Sequence, residues 1–378
     1  MTGRKILFMG YFTGFAGGIE RYAWRTALLL RQAGAEVDWC GEVSARGEEL
    51  FRSAFDRVFS AEEVTDRKFD YDLAALHKLP SFSLLKRWRG GFGERLVFWA
   101  HDHDLYCPRR HYYIPFGRIN CHRAYSPCRC AICAGLSAPH NRQHLRADHT
   151  AMLWELRCHH AVVLSSFMRE NLIRNGFAQD NLHRIPPVVE PVSRPTPPAD
   201  SGELKILFLG QLIRGKGADL LLKALRNLSV PWKAEIAGEG SDRPMLEKMA
   251  RQWGIASKIE FTSWLTDPTS ALRACDVLVF PSRWQEPFGL SGAEAAACGK
   301  PVVAFDVGGV REWLDDGING FLVPEKNTVV LAEKLERLAR DPALRMRLGS
   351  AGYELVKERF APQLLLNHID RLIEKVSS

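Results

Sequence analysis

Residues 5–40, KILFMGYFTGFAGGIERYAWRTALLLRQAGAEVDWC, read as a buried strand, a glycine-rich turn, an amphipathic helix and a second strand. The same device restarts at residues 205–228 as KILFLGQLIRGKGADLLLKALRNL, and the strand WKAEIAG follows it. An unbroken apolar run suits a strand covered on both faces, as in a parallel sheet. A glycine after it lets the backbone turn sharply into the next helix. Further strands are expected at 71–76, 95–100 and 160–164, then at 258–262, 276–280 and 301–305, with 321–323 as a short edge strand. Strands alternating with helices in each half imply an α/β protein of two doubly wound parallel sheets.

Between the halves lies RIPPVVEPVSRPTPPADSG (184–202), too rich in proline for a helix or a central strand. The expected organisation is a first Rossmann-like domain over 1–185, a linker at 186–203, a second domain over 204–360, and a helix at 361–378 packing back on the body. Two open sheets facing one another across a cleft would bind ligands at their carboxyl edges.

At 378 residues the chain exceeds what one core usually serves. Its 46% apolar and 25% charged residues are those of a globular protein, and no run approaches the roughly 18–20 apolar residues of a membrane span. The N-terminal apolar run leads straight into the glycine loop with no cleavage site, so a cytoplasmic location is expected, with thiols free or metal-bound. The net charge of +7 is concentrated: residues 86–146 hold 11 Lys/Arg against 3 Asp/Glu. Such a window suits a phosphate-rich partner or an anionic membrane surface, or is simply a solvated basic face.

Gly210 to Lys216 spell GxxxxGK after a strand and before a helix, but Gly217 stands where a nucleotide hydrolase needs Ser or Thr for magnesium. What remains is a glycine turn, a lysine and a helix start, which together cradle a diphosphate. Residues 280–323 read FPSRWQEPFGLSGAEAAACGKPVVAFDVGGVREWLDDGINGFLV. Here a strand delivers Glu286, and the next helix carries Glu294 eight positions on. Gly289 lets the backbone crowd a ligand at the helix start, where amides take a phosphate while the carboxylates accept from hydroxyls. Taken alone, the two acids near a helix start favour a reading as cap and surface charge.

The full pattern resembles the retaining GT-B glycosyltransferases, a nucleotide-sugar-dependent family of bacterial polysaccharide, lipid and sucrose-type synthases. The resemblance rests on Glu286-Pro-Phe-Gly, on Glu294-Ala-Ala-Ala-Cys-Gly-Lys-Pro-Val-Val-Ala, and on Gly308-Gly309, Glu312 and Asn319-Gly320. Lys216-Gly217, Gly238-Glu-Gly240 and Pro281-Ser282 extend it upstream; Gly17-Gly18-Ile-Glu20 and His101 extend it more weakly into the first half. It implies that Glu294 binds the ribose and that Glu286 faces the sugar near the reacting carbon. Phe288, Gly289, Leu290 and Ser291 would hold sugar and phosphate through their backbone. Lys216, with Arg214, would bind the leaving diphosphate, and the turn at Gly238 would line the nucleotide. His101 would hold a sugar hydroxyl, and Gly17 and Gly18 would approach the phosphates. Gln211 stands where the family often has a basic residue. The catalytic set so implied is His101, Glu286 and Lys216, with no metal cofactor in the chemistry and retention of anomeric configuration.

Five of the nine cysteines fall between 101 and 133. The spacing of Cys107, Cys121, Cys130 and Cys133, with Cys128 as an alternative, suits a structural zinc, an iron–sulfur cluster being the less favoured metal, and unligated structural cysteines are the rival reading. Such a metal would stiffen a basic insert at about 101–146 on the acceptor side, and similar cysteine-bearing inserts occur in a subset of the resembled family. The expected protein is a glycosyltransferase acting on a glycan or lipid-linked acceptor of surface polysaccharide or glycolipid assembly. It would be cytoplasmic, peripheral at an anionic membrane, and without a nucleic-acid partner. A sugar-nucleotide epimerase on the same fold is the alternative within enzymes. A metal-stapled nucleic-acid-binding protein is the alternative outside them, and it leaves residues 280–323 unexplained.

Overall fold

The computed structural model describes residues 1–65, 70–78, 80–114, 119–135, 149–192, 202–265 and 267–377. Parts of two sequence expectations, the insert at 115–118 and 136–148 and the linker at 193–201, lie outside the described residues. The chain divides into two compact units, Met1–Val188 with Pro362–Ser378, and Val189–Ala361.

The first unit is built on a seven-stranded sheet. Its order is Leu182–Arg184, Ala161–Val163, Leu96–Ala100, Leu73–Leu76, Lys5–Met9, Glu36–Cys40 and Val58–Phe59, every neighbour parallel. Lys5 pairs with Glu36 and Met9 with Cys40, so the quoted opening stretch supplies two adjacent strands and the helix between them, Gly18–Gln32. Ile6, Leu7, Phe8 and Met9 are all buried, which is why this strand shows no polar alternation. The C-terminal helix Pro362–Ser377 belongs to this unit and packs against Gly18–Gln32. The edge strands at 58–59 and 182–184 are two and three residues long and went unnoticed in the sequence.

The second unit carries a six-stranded parallel sheet in the order Ile259–Thr262, Trp232–Ala237, Leu204–Leu209, Val277–Phe280, Val302–Phe305 and Gly320–Val323. Ile206, Leu207, Val277, Leu278, Val302 and Val303 are at most 2% exposed. Each such side chain contributes about 1.5–3 kcal/mol by leaving water. Two long helices, Thr328–Arg340 and Pro342–Arg359, start on capped residues. The Asn327 side chain accepts from the Val330 amide, the Asp341 carboxylate accepts from the Leu344 amide, and Pro342 stands where no amide is needed.

In a parallel sheet all carboxyl ends lie along one edge. In the first unit that edge carries Gly10, His77 and His101, directly after three strands; in the second it carries Gly210, Gly238 and Pro281. The chemistry-bearing residues follow from this placement. Among the described residues, no helix is long and apolar enough to cross a membrane.

Candidate functional site

At the carboxyl edge of the second sheet, three segments meet: 210–219, 281–294 and 306–313. Arg214–Lys216 form one turn of 3-10 helix, and the helix Ala218–Leu225 starts after Gly217. Gly217 has φ +75°, and a Cβ there would stand 1.9 Å from the Pro281 carbonyl oxygen, so only glycine lets these segments touch. That closeness delivers Lys216 to Glu286. The ammonium lies 2.8 and 3.0 Å from the two carboxylate oxygens, and Ser282 Oγ donates to one of them at 2.5 Å.

Glu286 is buried and its own backbone is clamped. Its carbonyl accepts from the Gly309 amide at 2.7 Å, and the Gly308 amide donates to Gln285 Oε1 at 2.6 Å. The glycine pair thus holds the loop that carries the carboxylate. Phe288 is buried, with its carbonyl accepting from Trp313 Nε1 at 2.6 Å. Gly289 is the cap position of the helix Leu290–Ala297, whose first turn holds Leu290 and Ser291, and Glu294 lies buried one turn on. The first amides of a helix have no intrahelical partners and carry its positive end. Gly238 ends strand Trp232–Ala237 and donates to the Thr262 carbonyl, packed beside Gly210. Asn319 serves the local backbone: Nδ2 donates to the Trp313 carbonyl and Oδ1 accepts from the Asp315 amide, closing the turn before Gly320.

The sequence reading missed the struts of this arrangement. Arg283 meets Asp219 through two bonds of 2.5 and 2.6 Å, both side chains buried, and also donates to the Arg214 carbonyl at 2.8 Å. The exposed Arg214 guanidinium completes the group at 2.7 Å from Asp219. An aspartate inside the apolar run ADLLLKAL, and an arginine three positions past a buried strand, were the available signals.

In the first unit, Gly17 precedes the helix Gly18–Gln32, and the space where a Gly18 side chain would stand is open. Glu20 is buried at this helix start, and burial raises its carboxyl above the ordinary value against the bonds it accepts from the Glu20 and Gly17 amides. His101 follows strand Leu96–Ala100, buried, with its Nε2 2.7 Å from Nδ1 of His77. Burial, aided by the charge of Lys78, pushes His101 down to about 3, so it is neutral at physiological pH. Lys78 itself lies 2.8 Å from Asp102 and 2.5 Å from Asp104. Burial opposes its charge, but the two carboxylates hold its ammonium above the ordinary value. His77 and Lys78 were not anticipated either.

The expected structural zinc is not supported among the described residues. All nine cysteines are free thiols, and among the described residues no group of three or more His, Cys, Asp or Glu is placed to hold a metal ion. Residues Pro127–Gly135 form a helix, with Cys128 exposed and Cys130 accepting from the Ser126 amide at 3.4 Å. Cys107 and Cys121 pack against the apolar core, and burial pushes the Cys107 thiol up to about 12.

Residues 190–355 match the family described as Glycosyl transferases group 1. A D-inositol 3-phosphate glycosyltransferase of Streptomyces bingchenggensis is 39% identical over 158 residues, 38% of this chain and 34% of that protein. The lipopolysaccharide core biosynthesis glycosyltransferase LpsD of Rhizobium meliloti is 28% identical over 194 residues, 48% of this chain and 56% of that protein. The chain therefore spans about a third to a half of the length of these curated relatives. Among solved structures, Anabaena HepE in complex with UDP and glucose matches with a TM-score of 0.77 at 19% identity, covering 98% of this chain and 100% of that one. At that identity the likeness establishes the α/β GT-B fold, two Rossmann-like units in one chain.

Proposed function

We propose that this chain, whose residues 190–355 match the family described as Glycosyl transferases group 1, transfers a sugar from a nucleoside-diphosphate sugar to a glycan or lipid-linked acceptor. The observation that carries this reading is the pairing of Lys216 with Glu286 beside the start of the helix Leu290–Ala297. A lysine next to a helix N-terminus can stabilise the charge that a departing diphosphate gains, with no divalent ion. In this reading Glu294 accepts from the ribose hydroxyls and Glu286 faces the sugar near its reacting carbon. Backbone at Phe288, Gly289, Leu290 and Ser291 holds sugar and phosphate. Gly17, Gly18 and Gly238 line the nucleotide sugar, and neutral His101 holds a sugar hydroxyl.

Retention of configuration follows from attack on the face the diphosphate leaves. The acceptor oxygen bonds to the anomeric carbon, the carbon–oxygen bond to phosphate breaks, and the hydroxyl proton passes to the leaving phosphate. The basic window at 86–146 supports an anionic or lipid-diphosphate acceptor and peripheral attachment to an anionic membrane. Its exposed Lys86 and Arg87 project from the helix Phe82–Phe92.

Calorimetric titration with UDP, GDP and ADP sugars, followed by product analysis with and without acceptor, tests the reading. Glu294→Ala should weaken nucleotide binding and His101→Ala should depress turnover more than binding. Conversion of the sugar nucleotide without acceptor would point to an epimerase instead. Strict dependence of turnover on magnesium or manganese would overturn the proposed chemistry.

A further inference from the structure

His77 stands directly after strand Leu73–Leu76, and its imidazole is fully enclosed. Phe8 packs on it at 4.7 Å between ring centroids, Trp99 at 5.5 Å and Trp39 at 6.3 Å. Among the described residues, its one side-chain hydrogen-bond partner is His101, through Nδ1 to Nε2 at 2.7 Å, with the two rings stacked at 5.0 Å. Tyr22 meets the His101 ring edge-on at 4.8 Å, and its hydroxyl is itself held by Trp99 Nε1 at 2.9 Å. His101 is therefore fixed in position by rings on two sides.

Both imidazoles are neutral in this setting, because burial disfavours the charged form. Each then carries a single N–H, and the His77–His101 contact consumes one of them. The other nitrogen of His77, Nε2, is buried with no hydrogen-bond partner among the described residues. A proton there would leave an orphaned N–H inside an aromatic pocket, whereas a proton on Nδ1 leaves only an unused lone pair. Orphaned buried N–H groups are the rarer and costlier of the two. The hydrogen therefore belongs on His77 Nδ1, and His101 Nε2 accepts it.

We propose that His77 is a positioning residue that donates Nδ1–H to His101 Nε2 and so holds His101 as the tautomer with its own proton on Nδ1. His101 then offers one ring nitrogen to a ligand, always as a hydrogen-bond donor to an oxygen of the sugar nucleotide. This rests on the reading of His101 given under Proposed function. It goes further by naming the atom, the direction of the bond and the residue that sets both.

The tautomer is read directly, in the ligand-free protein, by long-range proton–nitrogen correlation spectra of histidine-labelled samples at pH 7. The His101 signals are assigned by their loss in His101→Asn. The expected result is a protonated Nδ1 and an unprotonated Nε2 on His101. In His77→Phe, which keeps an aromatic ring but has no donor, His101 should shift toward the Nε2-protonated form that free histidine favours. Turnover should then fall roughly tenfold or more while nucleoside-diphosphate affinity stays within about twofold. His77→Asn places an amide N–H near the lost Nδ1 and should recover both tautomer and rate, whereas His77→Gln, which reaches toward the Nε2 position, should not.

A wild-type His101 protonated on Nε2, or one whose tautomer is unchanged in His77→Phe, would overturn the proposal. The wild-type spectrum needs neither a variant nor a substrate. A protein that shows the expected tautomer yet binds no sugar nucleotide would leave the His77–His101 bond standing and instead overturn the glycosyl-transfer reading.

Discussion

Lys216 holds both carboxylate oxygens of Glu286, at 2.8 and 3.0 Å. The ammonium that would meet a diphosphate is thus already neutralised, so a ligand must compete with Glu286 for it. Glu286→Gln removes the competitor's charge while keeping its shape. Affinity for free UDP, GDP or ADP should rise in that variant while turnover falls. Lys216→Ala should lose both, with turnover down about 100- to 1,000-fold. Titration calorimetry and initial rates separate the two cases. Weaker nucleotide binding in Glu286→Gln would mean that the pair does not compete with ligand.

The Arg283–Asp219 pair makes a different demand, on stability. Both side chains are buried and their two bonds are 2.5 and 2.6 Å. Asp219→Ala strands the arginine's charge away from water, which costs about 3–5 kcal/mol. Arg214 reaches the same carboxylate but is 54% exposed, so Arg214→Ala should cost less than about 1 kcal/mol. Urea unfolding of the full chain measures both. Because Arg283 also ties down the Arg214 carbonyl, Asp219→Ala should in addition raise the KM for sugar nucleotide. Equal stability in the two variants would show that the strut carries no load.

Histidines held wholly or partly away from water set an acid limit. Burial, with His160 beside it, pushes His183 down to about 4, and its Nε2 lies 3.1 Å from His160 Nδ1. In the unfolded chain it titrates near 6.5. The unfolded state therefore binds more protons between those values, and the stability held in neutral His183 is complete above pH 6.5 and lost as pH falls toward 4. His101, at about 3, adds a loss of the same sign that extends lower. Stability measured by urea unfolding should decline from pH 7 to pH 4. His183→Gln should decline less steeply, by up to one proton in the linkage slope. Parallel curves would place His183 in an environment as wet as the unfolded chain.

The alternation that defines the fold could be seen in advance because it is local. An apolar hexamer such as KILFLG, a glycine and a helix lie within one stretch of chain, and each strand of the second sheet was anticipated to within a residue or two at its ends. Motif residues were legible for a similar reason: Glu286, Phe288, Gly289 and Glu294 lie within nine consecutive positions. What stayed hidden is pairing across the sheet. Asp219 and Arg283 are 64 positions apart, and His77 and His101 are 24 apart. Nothing in a single strand's pattern says which strand end will face it.

Gly308 joins backbone geometry to the chemistry most tightly. Its φ is +55°, in the left-handed region that side chains disfavour, and a Cβ would stand 2.2 Å from the Glu286 carbonyl oxygen and 2.6 Å from its nitrogen. Neither atom can yield without moving the peptide that carries the carboxylate. The Gly308 amide bond to Gln285 and the Gly309 amide bond to the Glu286 carbonyl would be disturbed together. Gly308→Ala should therefore shift Glu286 away from Lys216 and Ser282, and a displacement near 1 Å is enough to lower turnover about 100-fold. Gly317 is the control: it also has a positive φ, at +73°, but nothing lies within 4 Å of where its Cβ would stand. Gly317→Ala should carry only the local backbone strain and keep its turnover. Rates for the two variants, compared at matched folded fraction by circular dichroism, decide the matter. Similar losses in both would trace the effect to backbone strain alone and release Glu286 from its link to the glycine pair.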